Sequence, residues 1–247
     1  MTDHVYSGDF YGYIDAGSRA SARAVAKLLS AELRIDSLLD VGAGHGAWAA
    51  EWLAAGVGDV IAVDGDYVAR DRLAIPAAAF HAHDLSQPLD LGRRFDLVQS
   101  LEVAEHLPDA AADGFVETLA RHGDVILFSA AVPHQGGEHH VNEQPLGYWR
   151  TKFEARGYEP YDWLRPRIAA DRAIMPWYRF NSLIYANAAG AERLSDAIRA
   201  TKVADHEEID IAGDLQWRAR RAMVRLIPTA LVKPIAMAKA SVEARLR

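Results

Sequence analysis

An apolar run, Leu38-Leu39-Asp40-Val41, enters a turn carrying Gly42, Gly44 and Gly46, and a helix-forming segment, Ala47 to Ala55, leaves it. Alternating glycines let a strand turn tightly into a helix and let the backbone approach a ligand with no Cβ in the way. The spacing is G-x-G-x-G, one residue shorter than the dinucleotide fingerprint G-x-G-x-x-G. The turn therefore predicts a nucleoside-like ligand at a strand-to-helix junction and argues against a nicotinamide dinucleotide.

The remaining pattern extends this unit. Strand-like runs at 37–41, 59–63, 79–82, 95–100 and 124–130 alternate with helix-like segments at 47–55, 68–73 and 110–121, as βαβ units do. A helix over 17–33, with Ser18 or Ser21 as its cap, precedes them. A Gly/His-rich loop, 133–144, leads to a helix over 146–156 that Gly157 terminates. Strands at 159–164 and 181–185 follow, separated by a loop rich in aromatics and arginine. A helix over 188–201, an acidic loop over 205–214 and a basic amphipathic segment broken by Pro228 and Pro234 complete the chain. The expected division is an N-terminal lid and helix (1–34), a ligand-binding α/β domain (35–187) and a helical, basic C-terminal extension (188–247).

Composition excludes several functions. With no cysteine among 247 residues, disulfides, thiolate metal sites and thiol nucleophiles are ruled out. The net charge of −7 gives no general affinity for nucleic acid. From Arg218 onward, however, eight basic residues face one acid, Glu243. No run approaches the ~20 apolar residues of a membrane span, and the N-terminus does not read as a signal peptide. A cytoplasmic location is expected.

Asp64 ends the second strand, where an acid accepts hydrogen bonds from ribose hydroxyls in nucleoside-binding α/β folds. Taken with the glycine turn, the chain resembles the class I S-adenosylmethionine-dependent methyltransferases over roughly 35–187. The resemblance implies a Rossmann-like seven-stranded sheet with helices on both faces, and S-adenosyl-L-methionine as cofactor, released as S-adenosyl-L-homocysteine. It implies that Asp40 holds the cofactor's amino group and that Gly42, Ala43, Gly44 and Gly46 line its methionyl chain. Asp64 and Gly65 would then meet the ribose, and His83, Asp84 and Leu85 the adenine. The run Ser100-Leu101-Glu102-Val103-Ala104-Glu105-His106-Leu107-Pro108 resembles the family's fourth strand and following loop. It implies that Ser100, Leu101 and Glu102 lie beside the cofactor. Tyr13 and Arg19 are candidates for its carboxylate, in a segment that folds over it as a lid.

The acceptor side rests on Gly136-Gly137-Glu138-His139-His140-Val141-Asn142-Glu143-Gln144. This stretch resembles the G-G-x-x-H-x-N-E-Q segment of bacterial methyltransferases of sugar, surface-glycan and natural-product modification. In that frame His140 is the candidate general base, with His139 and Glu143 as further catalytic candidates. Tyr11, His106, Asn142, Arg165 and Arg179 are candidates for contacting a small-molecule acceptor; the arginines suit an anionic group. Glu138, His139, His140 and Glu143 are also potential metal ligands, but their spacing fits neither H-E-x-x-H nor a calcium loop, and no metal is assigned. The expected reaction is O-methylation of a sugar or glycosylated natural product. N-methylation of an amino sugar or amine, methylation of a phenol or quinol, and a non-catalytic cofactor-binding role are the alternatives. For the basic extension, packing on the core or a subunit contact is favoured over an anionic membrane surface, because prolines interrupt the helix.

Overall fold

The structure is a computed structural model; it describes the backbone of residues 8–210 and 212–226 and the side chains of 17–210 and 212–226. Among the described residues seven strands form one sheet: β1 (Ser37–Val41), β2 (Asp59–Asp64), β3 (Phe80–Ala82), β4 (Leu97–Leu101), β5 (Val125–Ser129), β6 (Glu159–Tyr161) and β7 (Leu183–Ala186). Their order is β3-β2-β1-β4-β5-β7-β6. β1 to β5 are parallel, and β7 runs antiparallel to both β5 and β6.

Consecutive strand residues are apolar because both faces of the sheet are covered. Leu38, Ala62, Leu97, Leu127 and Ile184 face α1 (Gly8–Ser30) and α2 (Ala47–Ala54). Leu39, Val63, Val98, Ile126, Phe128 and Tyr185 face α3 (Ala112–His122) and α4 (Leu146–Glu154). On the second face Phe153 stacks on Tyr185 at 4.1 Å. Trp52, fully buried on the first, donates its indole N–H to Gln99 Oε1 at 2.7 Å.

Several local expectations are corrected. The 68–73 helix is only a 3-10 turn at Arg70–Arg72. Pro76 disfavours helix just before it, and the extended segment lies across the glycine turn instead, with the Ala74 amide donating to His45 O at 2.8 Å. The arginine-rich loop contains α5 (Leu164–Ile168) and α6 (Pro176–Asn181), the latter opened by Pro176. The 188–201 helix is two, α7 (Ala188–Arg193) and α8 (Asp196–Arg199), because Ser195 caps a new start by accepting from the Ile198 amide. The first helix begins at Gly8, so Ser18 and Ser21 are interior positions rather than caps. Ser18 meets the Tyr178 hydroxyl, and Ser21 Oγ accepts from the Met175 amide at 3.0 Å.

The basic segment of the C-terminal extension begins as α9 (Leu215–Leu226), anchored by buried Trp217 beside Phe180. Residues 227–247, with Pro228 and Pro234, lie outside the described residues. Among the described residues no helix is long and apolar enough to cross a membrane.

Candidate active site

Strand order reverses between β1 and β4, the switch point beside whose carboxyl ends open α/β sheets bind ligands. The glycine turn follows β1 and Glu102 follows β4, so both sequence signals arrive at this point. Gly42 adopts φ +86, and a Cβ on it would stand 2.2 Å from Val103 Cγ2 on the neighbouring loop. Gly44, at φ +54, has nothing within 4 Å of that position. The turn is thus packed on one side and open on the other.

Two acids frame it. Asp64 Oδ2 accepts from the Gly44 amide at 2.7 Å, and Oδ1 accepts from the Gly65 amide at 2.6 Å and the Tyr67 hydroxyl at 2.5 Å. A carboxylate has about four lone-pair sites, which leaves capacity for a ligand hydroxyl. Asp40 lies buried beneath the turn, and among the described residues its Oδ2 has no hydrogen-bond partner. Burial, with a smaller contribution from the charge of Asp64, pushes its carboxyl up to about 7.

Beyond β3, His83 and Leu85 are half-buried and Asp84 is exposed. The Ser86 hydroxyl and amide bond Asp84 and hold its carboxyl below the usual range. Ser100 and Leu101 are buried at the end of β4. Arg19 pairs with Glu51 at 3.4 Å. Tyr11 and Tyr13 belong to α1, but their side chains lie outside the described residues.

The acceptor loop is pinned from below. Glu105 O accepts from the amides of Val141 and Asn142 at 2.9 and 3.0 Å. Glu143 braces the loop from inside: Oε2 accepts from the His134 amide at 2.9 Å, and Oε1 from the Gly136 amide at 2.8 Å and His140 Nδ1 at 2.9 Å. Burial opposes ionisation of Glu143, yet the His140 bond and the two amides hold it below the ordinary glutamate range. With Nδ1–H donated to this carboxylate, the neutral His140 ring carries its lone pair on Nε2. That atom is 3.9 Å from Glu105 Oε1, and the ring meets His106 edge-on at 5.0 Å.

Glu102 sits at φ 58, a left-handed backbone that is uncommon for such a residue. Its oxygens accept from Gln135 Nε2 at 2.6 Å and Asn181 Nδ2 at 3.2 Å. Burial raises its carboxyl, and burial together with the charge of Glu102 raises Glu105 well above the glutamate range.

Gln135 and Asn181 were not among the residues expected from sequence. Gln135 lies within the loop already singled out; Asn181 is a lone amide in an aromatic run, and nothing local marks it. Asn142 is buried, its Oδ1 accepting from Gln144. His139, at φ 56, stands outside the grouping of Glu105, His106 and His140.

Arg165 and Arg179 are bound within the fold. Arg165 forms two bonds to Asp162, at 2.8 and 2.6 Å, and one to Asp210 O. Arg179 donates to Ala169 O at 2.8 Å and reaches Asp214 at 3.4 Å. Two arginines of α9 do reach the acceptor loop: Arg221 donates to Pro133 O at 2.9 Å and Arg220 to Gly136 O at 3.2 Å.

Residues 13–129 match a family model described as a methyltransferase domain. Over that segment, which carries the glycine turn, Asp40, Asp64 and strands β1 to β5, the chain is similar to a methyltransferase domain. Solved structures share its architecture. DesVI of Streptomyces venezuelae is 17% identical, with a TM-score of 0.58 over 75% of this chain and 100% of that one. The sugar N-methyltransferase KedS8 from a Streptoalloteichus species is 18% identical, with a TM-score of 0.55 over 76% and 97%. CalS10, an amino pentose methyltransferase of Micromonospora echinaspora involved in calicheamicin biosynthesis and solved with S-adenosylmethionine, is 19% identical, with a TM-score of 0.54 over 76% and 100%. No curated protein matches the sequence.

S-adenosylmethionine fits the residues around this turn. The Gly44 face is open where a Cβ would project, and among the described residues Asp40 Oδ2 is a buried acceptor without a partner. Asp64 retains lone pairs at the carboxyl edge of β2.

Proposed function

We propose that this methyltransferase transfers a methyl group to a small-molecule acceptor, with a hydroxyl of a sugar or glycosylated natural product as the acceptor. Asp40 and Asp64 would hold the cofactor's amino group and ribose, the glycines its methionyl chain, and Asp84 its adenine. When bound, S-adenosylmethionine supplies an electrophilic methyl on a sulfonium, so the protein's task is to position the acceptor and manage its proton. Alignment of reactants is worth ~7–11 kcal/mol in favourable cases.

One observation carries the acceptor reading. Glu143 fixes the His140 ring at 2.9 Å, which leaves Nε2 as the proton-accepting atom, turned toward Glu105 and His106. His140 is therefore the proposed base, Glu143 its orienting partner, and Asn142 and His106 the polar lining of the acceptor side. Arg165 and Arg179 are assigned to bracing that wall, since their guanidinium groups bond Asp162, Asp210 O and Ala169 O.

A second reading, N-methylation of an amino sugar, is favoured by a different observation. The neighbouring carboxyls of Glu102 and Glu105 would attract an ammonium group, and KedS8 and CalS10 carry sugar N- and amino pentose methyltransferase in their names. Incubation with methyl-labelled S-adenosylmethionine and paired hydroxy and amino sugars decides between the two. Label on oxygen supports the first reading and label on nitrogen the second. Transfer to phenols alone, or to none of the panel, overturns the sugar assignment.

A further inference from the structure

We propose that Glu105, His106 and His140 bind one divalent transition-metal ion at the carboxyl end of β4. The ligand atoms of these three residues all lie within 4.8 Å of one another. His140 Nε2 and Glu105 Oε1 are 3.9 Å apart, too far for a hydrogen bond and close to the span of two ligands on one ion. Metal–nitrogen and metal–oxygen bonds of ~2.0–2.2 Å set the ligand atoms of a tetrahedral ion ~3.3–3.6 Å apart. Closing the site therefore needs side-chain movements of up to about an ångström.

Independent features point to the same occupant. Glu105 is only 1% exposed, and among the described residues neither of its carboxylate oxygens has a hydrogen-bond partner. Buried carboxylates are ordinarily paired or bound to metal. The surroundings are also those of a metal-bound histidine. His140 donates its other ring nitrogen to Glu143, the arrangement that fixes tautomer and orientation in carboxylate–histidine–metal triads. The carbonyl of Glu105 accepts the Val141 and Asn142 amides, so one residue offers an oxygen ligand and fixes the loop bearing the nitrogen ligand. Gly137 packs against the His140 ring, where a Cβ would be 2.2 Å from Nε2, so only a glycine lets the ring hold this position. Exposed His106 gives an ion a path in.

Two imidazoles and one carboxylate suit manganese, cobalt or zinc better than magnesium or calcium, which favour oxygen. The ion's role, lowering the pKa of an acceptor hydroxyl placed on it, rests on the O-methylation reading; its binding does not. A bound ion takes the Nε2 lone pair, so the metal-loaded protein acts on the hydroxyl through the ion's charge. The chelated protein is left with His140 as base.

The test uses full-length protein stripped with chelator and titrated with Mn²⁺, Zn²⁺ and Mg²⁺ by calorimetry, with electron paramagnetic resonance following bound Mn²⁺. One ion per chain is expected for Mn²⁺ or Zn²⁺, with Mg²⁺ weaker. Glu105→Gln, His106→Ala and His140→Ala should each weaken binding about tenfold or more, and Glu143→Gln about 10–100-fold. His206→Ala, at an exposed histidine elsewhere, should change nothing. Thermal melts check folding; if Glu105→Gln fails to fold, His106→Ala, at a surface position, decides. Absence of binding to the wild type, or equal binding by the His106 and His140 variants, overturns the site. Methyl transfer that persists in chelator without ion binding removes the metal and leaves the proposed function standing. Ion binding without transfer to any acceptor does the reverse.

Discussion

The Asp64 carboxylate ties two loops together, accepting the Gly44 amide through one oxygen and the Gly65 amide through the other, at 2.7 and 2.6 Å. The acid that ends β2 thus shapes the glycine turn that follows β1, and it is the residue proposed to hold the ribose. Asp64→Ala should weaken S-adenosylmethionine binding by about 100-fold, since hydrogen bonds to a charged acceptor contribute ~1.5–3 kcal/mol each. It should also lower the melting temperature, because two loop amides lose their acceptor. Calorimetry and a thermal melt read the two effects. Unaltered affinity would remove Asp64 from the cofactor site.

Gly42 and Gly44 both have positive φ, yet their substitution should have opposite signatures. An alanine at Gly42 is strained and meets Val103 at 2.2 Å, so Gly42→Ala should lose stability on the order of 1–3 kcal/mol. At Gly44 the methyl enters open space, and the cost to the fold is that of the left-handed backbone alone, ~1–2 kcal/mol. Its main effect should be on the cofactor, whose chain would run across that face. Denaturation and cofactor titration of both variants check the contrast. A Gly44→Ala protein with normal affinity would show that the open face is not the cofactor's.

These residues also show what sequence can reveal. A glycine turn between an apolar strand and a helix is a local pattern, and so is an acid at the end of a strand. The glycine turn and the acid at the end of β2 were legible for that reason, as were the strands to within a few residues. The surroundings of the 133–144 loop depend on contacts between distant segments. Glu105 gains meaning from the amides of Val141 and Asn142, and Glu102 from Gln135 and Asn181. Arg165 reads as an anion binder until the fold shows Asp162 and Asp210 O around it. The β2–β3 connection failed as a helix because Pro76 and the glycine turn outweighed its local propensity.

Asp40 makes the protein sensitive to pH near neutrality. Burial pushes its carboxyl up to about 7, above the ~3.9 of a free aspartate. The folded state therefore binds the proton more tightly than the unfolded state. Its contribution to stability is fully present below about pH 4 and is lost as pH rises through 7. Cofactor affinity should run the other way, because a positively charged amino group prefers the ionised carboxylate. Affinity should rise from pH 5.5 to 7.5 while stability from this group falls. Asp40→Asn should flatten both profiles, as calorimetry and denaturant titrations across that range would show. A wild-type affinity independent of pH would place the amino group elsewhere.

His140 and Glu143 act as a pair, and their variants should separate chemistry from cofactor binding. His140→Ala removes the Nε2 lone pair and should lower turnover by about 10²–10⁴-fold, the usual range for a positioned acid–base group. Glu143→Gln keeps the size of the side chain but loses the charge that accepts Nδ1–H, and its amide must also serve the His134 and Gly136 amides. Its turnover should fall less than that of His140→Ala, and its melting temperature should drop because the loop loses its brace. Neither change touches the glycine turn or Asp64, so the dissociation constant for S-adenosylmethionine should move by less than about threefold, within the ±0.5 kcal/mol typical of distant substitutions. Single-turnover transfer, measured alongside cofactor titration, reads both quantities in one preparation. Full turnover in His140→Ala would exclude the imidazole from handling the acceptor's proton, whether as free base or as metal ligand.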